Sequence, residues 1–138
     1  MIRRQSLEDE SGESLLSGLY IMLILAVVLF AAVETASYSM SVWKLYGAAG
    51  EVMDIMKAEN GLDSDGIRRF HTLEAALGLE GLDVVISGTP KTVQRGDLLE
   101  LRLSCRYRIQ SLRPFGRELS VPISIRLSGL AHTYIRGL

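Results

Sequence analysis

The sequence predicts an α+β protein. A long N-terminal helix, membrane-spanning in its first half, packs through its second half on a small three-stranded antiparallel sheet, with one short extra helix. Three observations carry this reading. Residues 15–33, LLSGLYIMLILAVVLFAAV, hold no charged side chain. Beyond Glu34 the larger apolar residues recur at steps of three and four. From residue 97 onward, two segments alternate apolar and polar side chains.

The apolar segment would span about 28 Å as a helix at 1.5 Å per residue, close to a bilayer core of roughly 30 Å. Tyr20 near one end, and Tyr38 and Trp43 beyond the other, suit interfacial anchors. A buried core helix is the alternative, but so short a chain could hardly cover every face of it. A cleavable secretory signal, cut near Ala36, is another. Arg3 and Arg4 fit its charged start, whereas Glu8, Asp9, Glu10 and Glu13 do not, and the apolar run exceeds the usual span of about 7–15 residues. Arg3 and Arg4 outnumber Lys44, the one base close to the other end, which predicts a cytoplasmic N-terminus and a single pass. The expected organisation is a cytoplasmic leader over 1–14 and a transmembrane segment over 15–33, continuing as an amphipathic helix to about 60. Residues 61–138 form an extracytoplasmic domain.

In the second half of the helix, Val42, Leu45, Tyr46, Ala49, Val52, Met53 and Met56 form one stripe. Lys44, Glu51, Asp54 and Lys57 lie mostly on other faces. The dipeptide Asn60-Gly61 supplies the stop, giving a helix of about 45 residues and roughly 68 Å. Next, Asp63 or Ser64 can cap a short helix that places Ile67, Phe70, Leu73 and Leu77 on one face and stops at Gly78 or Gly81.

Three strand candidates follow: LDVVISG (82–88), DLLELRLSCRYRIQS (97–111) and LSVPISIRLSGL (119–130). In the second, Leu99, Leu101, Leu103, Cys105, Tyr107 and Ile109 share one face. In the third, Val121, Ile123, Ile125 and Leu127 do so. TVQRGD and RPFGRE read as the turns between strands. Pro122 requires a strand edge or start, since it has no N–H to give a ladder.

Chemistry-bearing residues are sparse. The chain has 138 residues, 15 basic and 16 acidic, with a net charge of −1 and one cysteine. This composition offers no global field for nucleic acid and no intrachain disulfide. Cys105 falls on the apolar strand face, as a structural thiol. His71 and His132 have no ligand partners at metal spacing. ENGLDSDG is no calcium loop, because the twelfth position, counted with Gly66 as the sixth, is Thr72. SGTPK lacks the strand–loop–helix context of a phosphate loop and reads as a turn. Arg102, Arg106 and Arg108, with Arg113 and Arg117 nearby, form a basic stripe on the polar sheet face. Glu100 and Glu118 dilute it, and no aromatic platform accompanies it. No cofactor, metal or catalytic residue is expected, and the chain reads as non-enzymatic.

Taken together, the charged leader, the glycine in SGESLLS, the apolar helix, AAVETASYS and the ending RGDLLELRLSCRYRI…RPF…LSVPISIRLSGLAHTY resemble type IV pilin-like proteins. The closer likeness is to the TadE-like pseudopilins of tight-adherence (Tad/Flp) pilus systems, including Gram-positive relatives. The resemblance covers nearly the whole chain. It implies a subunit of a cell-surface filament or of its assembly and secretion machinery, with the membrane, other pilin or pseudopilin subunits and a prepilin peptidase as partners. The peptidase would cut after Gly12, leaving Glu13 as the new N-terminus, and Glu34 would match the acidic residue past the membrane helix. Pilins usually place a glutamate at the fifth mature position, which here is Ser17. Glu13 takes over part of that role, the cut lies elsewhere, or there is no cut. The alternative function is a single-pass anchor whose extracytoplasmic β-domain binds a partner or ligand.

Overall fold

The computed structural model describes residues 3–133, and for residues 3–11 and 13 the backbone alone. The chain divides into two compact units, Met1–Ala36 and Ser37–Leu138.

The first helix, α1, spans Arg3–Glu59, 57 residues. It begins before the apolar segment at which the sequence reading starts it, because Arg3, Arg4, Gln5, Leu7, Glu8, Glu10 and Glu13 are good helix formers and Gly12 alone does not stop a helix. In the first unit every residue from Ser14 to Val33 is exposed.

In the second unit α1 buries a stripe. Leu45, Ala49, Val52 and Met56 are fully buried and Ala48 and Met53 nearly so. Tyr46 departs from the expected stripe: it stands about 100° round the helix from Leu45 and is 48% exposed. Tyr38 is half-buried, packs against the core of this unit and meets Tyr107 edge-on at 5.4 Å between ring centroids.

The helix ends where Asn60 takes the left-handed conformation, φ 59°. Three bonds occupy the last carbonyls, and a fourth reaches the Asn60 side chain to close this end. Gly61 N donates to Met56 O at 3.0 Å and His132 N to Lys57 O at 2.9 Å. Thr133 Oγ1 donates to Ala58 O at 2.6 Å, and Thr133 N donates to Asn60 Oδ1 at 3.2 Å. Asn60 Nδ2 in turn donates to Thr133 O. Carbonyls that a helix terminus leaves unpaired are thereby satisfied from the far end of the chain.

The second helix, α2 (Ser64–Ala76), starts on Asp63, whose Oδ1 accepts from the N–H groups of Asp65 at 3.1 Å and Gly66 at 2.9 Å. Phe70 is fully buried; Ile67, Leu73 and Leu77 are half-buried beside it. At the other end Leu77 O accepts from Lys44 Nζ at 2.9 Å, so a lysine of α1 caps α2. The Gly66 N–H holds the Asp63 carboxyl below the usual carboxylate range, with Lys91 adding to it. A lowered folded value stabilises above the ordinary carboxylate pKa, near 4, and that contribution is lost as pH falls through the folded value. Asp63→Ala is therefore expected to lose about 1 kcal/mol at pH 7, the gap narrowing below pH ~4, as thermal unfolding at the two pH values would register.

The sheet has the order β1-β2-β3 and is antiparallel throughout, with β1 at Val85–Gly88, β2 at Leu98–Arg108 and β3 at Ser120–Leu130. All three expected strands are present. Leu99, Leu101, Leu103, Cys105 and Tyr107 of β2, with Ile123 and Ile125 of β3, are buried in one cluster with the α1 stripe and Phe70. Val121, at the end of that face, is 37% exposed. Leu103 sits opposite both Ile86 and Ile125, so the middle strand supplies the centre of the core.

Pro122 lies opposite Arg106. Ile109 N donates to Leu119 O and Ala131 N to Asp97 O, which makes the odd-numbered positions of β2 the hydrogen-bonded pairs with β3. The Pro122 nitrogen therefore faces the open edge, where a missing donor costs nothing.

RPFGRE is more than a turn. Gln110–Phe115 forms a 3-10 helix closed by Gly116 at φ 67°. The gap from Ile109 to Leu119 is too long for a tight hairpin and folds on itself. TVQRGD does turn, with Gly96 at φ 92° and Gln94 N donating to Asp97 Oδ2 at 2.8 Å. SGTPK turns and is tethered: Leu62 N donates to Thr89 O at 2.8 Å, and Leu62 bridges Pro90.

Candidate functional site

Of the residues that the sequence reading selects, Gly12, Ser17 and Glu34 lie along α1 and do not converge. Twenty-two residues separate the first from the last, about 33 Å along a helix. Gly12 and Ser17 are exposed and Glu34 is half-buried. The Glu13 side chain lies outside the described residues. What these positions bracket is an extended apolar surface. Thirteen Leu, Ile, Met, Val and Phe side chains between Leu15 and Val33 are 46–75% exposed. At 1.5–3 kcal/mol each for complete burial, leaving them in water would forgo on the order of 20 kcal/mol. This one helix is long and apolar enough to cross a membrane, and no part of its apolar window is buried.

The polar face of the sheet is the second feature. Glu100 Oε2 lies 3.4 Å from Arg102 Nη2 and 3.2 Å from Arg126 Nη2, so two arginines share one carboxylate. Arg126 was missed in the expected basic stripe. Its signal is the register, which sets it opposite Arg102. Arg108 lies 3.8 Å from Asp83. These pairs are exposed and each contributes at most about 1 kcal/mol. An open groove of about 730 Å³ crosses this face, lined by Val85, Ser104, Arg106, Arg108, Pro122 and Ser124 among others.

Cys105 is buried. Burial pushes its thiol up from the ordinary value, and the Glu74 carboxylate adds to this, which leaves little thiolate for nucleophilic attack. Glu74 is itself buried, 7% exposed, and meets His71 Nδ1 at 2.9 Å; sequence periodicity gave no sign of it. His132 is exposed. Among the described residues no group of three or more His, Cys, Asp or Glu side chains could hold a metal ion.

A family model matches residues 20–136 and is described as a domain of unknown function, DUF4320. The chain belongs to the DUF4320 family. No curated protein and no solved structure matches it. The DUF4320 match begins at Tyr20, inside the apolar segment, and runs through β3. Glu34 and the arginines of the sheet fall within it, whereas Gly12, Glu13 and Ser17 lie outside the matched residues.

Proposed function

We propose that this DUF4320 chain is a non-enzymatic, TadE-like pseudopilin or minor pilin. It is stored in the membrane with its N-terminus cytoplasmic and its α+β unit outside, and it serves a cell-surface filament or the machinery that assembles one. The supporting observation is the division of labour along α1. Residues 15–33 are apolar and exposed on every face, while the stripe from Leu45 to Met56 is buried in the second unit. Such a segment can be held in lipid and later buried against neighbouring subunits, with side-chain packing replacing lipid contact. Glu34 ends the apolar run, where a carboxylate is satisfied by the interface or by a neighbour.

Cleavage after Gly12 is the test. Gly12 is helical in α1, so the peptide bond must unwind locally before a peptidase can reach it. A glycine there lowers helix stability by about 1 kcal/mol relative to alanine. Co-expression with a prepilin peptidase is expected to yield a mature chain starting at Glu13, seen as a mass loss of residues 1–12. An intact Met1 under those conditions would overturn the pilin reading.

Ser17, at the position where pilins usually carry a glutamate, favours a second reading: a permanent single-pass anchor whose outer unit binds a partner. The groove beside Arg106 and Arg108 is one concave feature available to it. That protein would stay in the membrane fraction and be absent from filaments sheared off the cell surface.

A further inference from the structure

We propose that the connection between β2 and β3 docks on the membrane surface, with Phe115 entering the headgroup region of an anionic bilayer and Arg113 and Arg117 engaging lipid phosphates. The inference rests on the apolar segment crossing a membrane and is independent of pilin processing.

Phe115 is 78% exposed, the most exposed large apolar side chain among the described residues. It stands at the end of the 3-10 helix Gln110–Phe115, bracketed in sequence by Arg113 and Arg117. Glu118 is the one acid between Gln110 and Leu119. An exposed aromatic flanked by arginines lacks a reason within the Ser37–Leu138 unit, where both arginines are exposed as well.

Position within that unit supplies the reason. The chain enters at Ser37, and Tyr38 meets Tyr107, near the end of β2, at 5.4 Å. One turn on, Ser41 shares the wall of a cavity of about 270 Å³ with Gln110 and Arg113. The 3-10 helix is thus at the end of the unit where the chain comes in. Val33, the last residue of the apolar run, is four residues from Ser37. Whatever the orientation of the first unit, four residues reach at most about 14 Å. The membrane surface therefore lies within reach of this end of the unit. A bilayer adds roughly 5–8 Å of headgroup region on each side of its core, and six residues of 3-10 helix are about 12 Å long. An aromatic at that level is in its favoured place, and basic residues there are attracted by anionic lipid.

The test uses the full chain reconstituted in vesicles. Trp43→Phe with Phe115→Trp makes position 115 the single tryptophan, as the natural chain has one. Both changes fall on exposed side chains, so the fold should be kept. Vesicles of phosphatidylcholine, with or without phosphatidylglycerol, carry bromine on their acyl chains as a short-range quencher. The expected result is blue-shifted, quenched emission in the phosphatidylglycerol vesicles. Arg113→Ser with Arg117→Ser should weaken it, each arginine being worth roughly a fivefold shift in bound population. Emission typical of water and unquenched in both vesicles, from a chain that resists alkaline extraction, would overturn the docking while leaving the anchor intact. Extraction of the chain by alkali would overturn both. Quenching indifferent to phosphatidylglycerol would remove the arginines' role, and shielding from aqueous acrylamide without bromine quenching would assign the loop to a protein contact instead.

Discussion

Gly61→Ala is expected to remove a large share of the stability of the Ser37–Leu138 unit. Gly61 has φ 145°, a conformation in which an L side chain is strained. A Cβ there would stand 2.5 Å from both the carbonyl carbon and oxygen of Pro90 and 2.6 Å from Lys91 Cα. All three are backbone atoms, so no side-chain rotation relieves the overlap. The segments must separate, which breaks the Leu62–Pro90 bridge and disturbs the bond from Gly61 N to Met56 O. The combined cost is on the order of 4 kcal/mol, the size reserved for changes with such a named mechanism, against a total stability of about 5–15 kcal/mol for a domain.

Asn60→Ala should cost less, about 2–3 kcal/mol. It loses the left-handed tolerance of asparagine and leaves the Thr133 N–H and C=O without their partner. Asn60→Gly restores the backbone freedom alone and should fall between Asn60→Ala and wild type. Gly47→Ala is the contrasting case. Gly47 lies inside α1 with nothing within 4 Å of a Cβ, so alanine should stabilise the helix by about 0.5–1 kcal/mol. Thermal unfolding in mild detergent, followed by circular dichroism, orders the four variants. A Gly61→Ala melt equal to wild type would contradict the close approach to Pro90.

The pattern of what the sequence made legible follows from how local each interaction is. Alternation in β2 and β3 and the three-and-four spacing of Leu45, Ala49, Val52 and Met56 report burial directly, because each face is set by the chain's own geometry. Asn60 shows the limit. Its partner, Thr133, is 73 residues away, and no periodicity marks a pair that tertiary folding alone brings together. The same holds for Lys44 on the end of α2 and for Arg126 across from Arg102. Tyr46 erred in the other direction. Its type fitted the stripe, and only packing decides that it is half exposed, just as packing alone brings Tyr38 against Tyr107. For the candidate site, the apolar segment was legible because hydropathy is a local property. The roles of Gly12, Glu13 and Ser17 came from resemblance, and a helix that spreads them along its length adds no convergence to support them.

Charge placed in the middle of the apolar segment gives the largest expected effect on function. Leu25 is the eleventh of the nineteen residues from Leu15 to Val33 and is 67% exposed, so its replacement disturbs no buried packing. In lipid, the twelve Leu, Ile, Val and Phe residues of this segment contribute about −0.3 to −0.6 kcal/mol each, roughly −4 to −7 in sum, before Ser17, Gly18 and Tyr20 are counted against it. Leu25→Lys changes one of these to about +3 kcal/mol, a shift of 3–4, or on the order of a few hundredfold in the insertion equilibrium. The single variant should show a measurable drop in membrane integration. Leu25→Lys with Leu29→Lys, one turn apart on the same face, shifts the balance by about 6–8 kcal/mol and should abolish it. The sign is what discriminates. If residues 15–33 stood in water, or were covered only by a soluble partner's surface, lysines at these exposed positions would raise solubility and leave the alkali-resistant fraction unchanged. A chain that loses alkali resistance with the double variant, while its Ser37–Leu138 unit keeps its melting transition, holds its anchor and its fold in separate stretches of α1. Equal alkali resistance in wild type and double variant would mean that lipid is not what covers this helix.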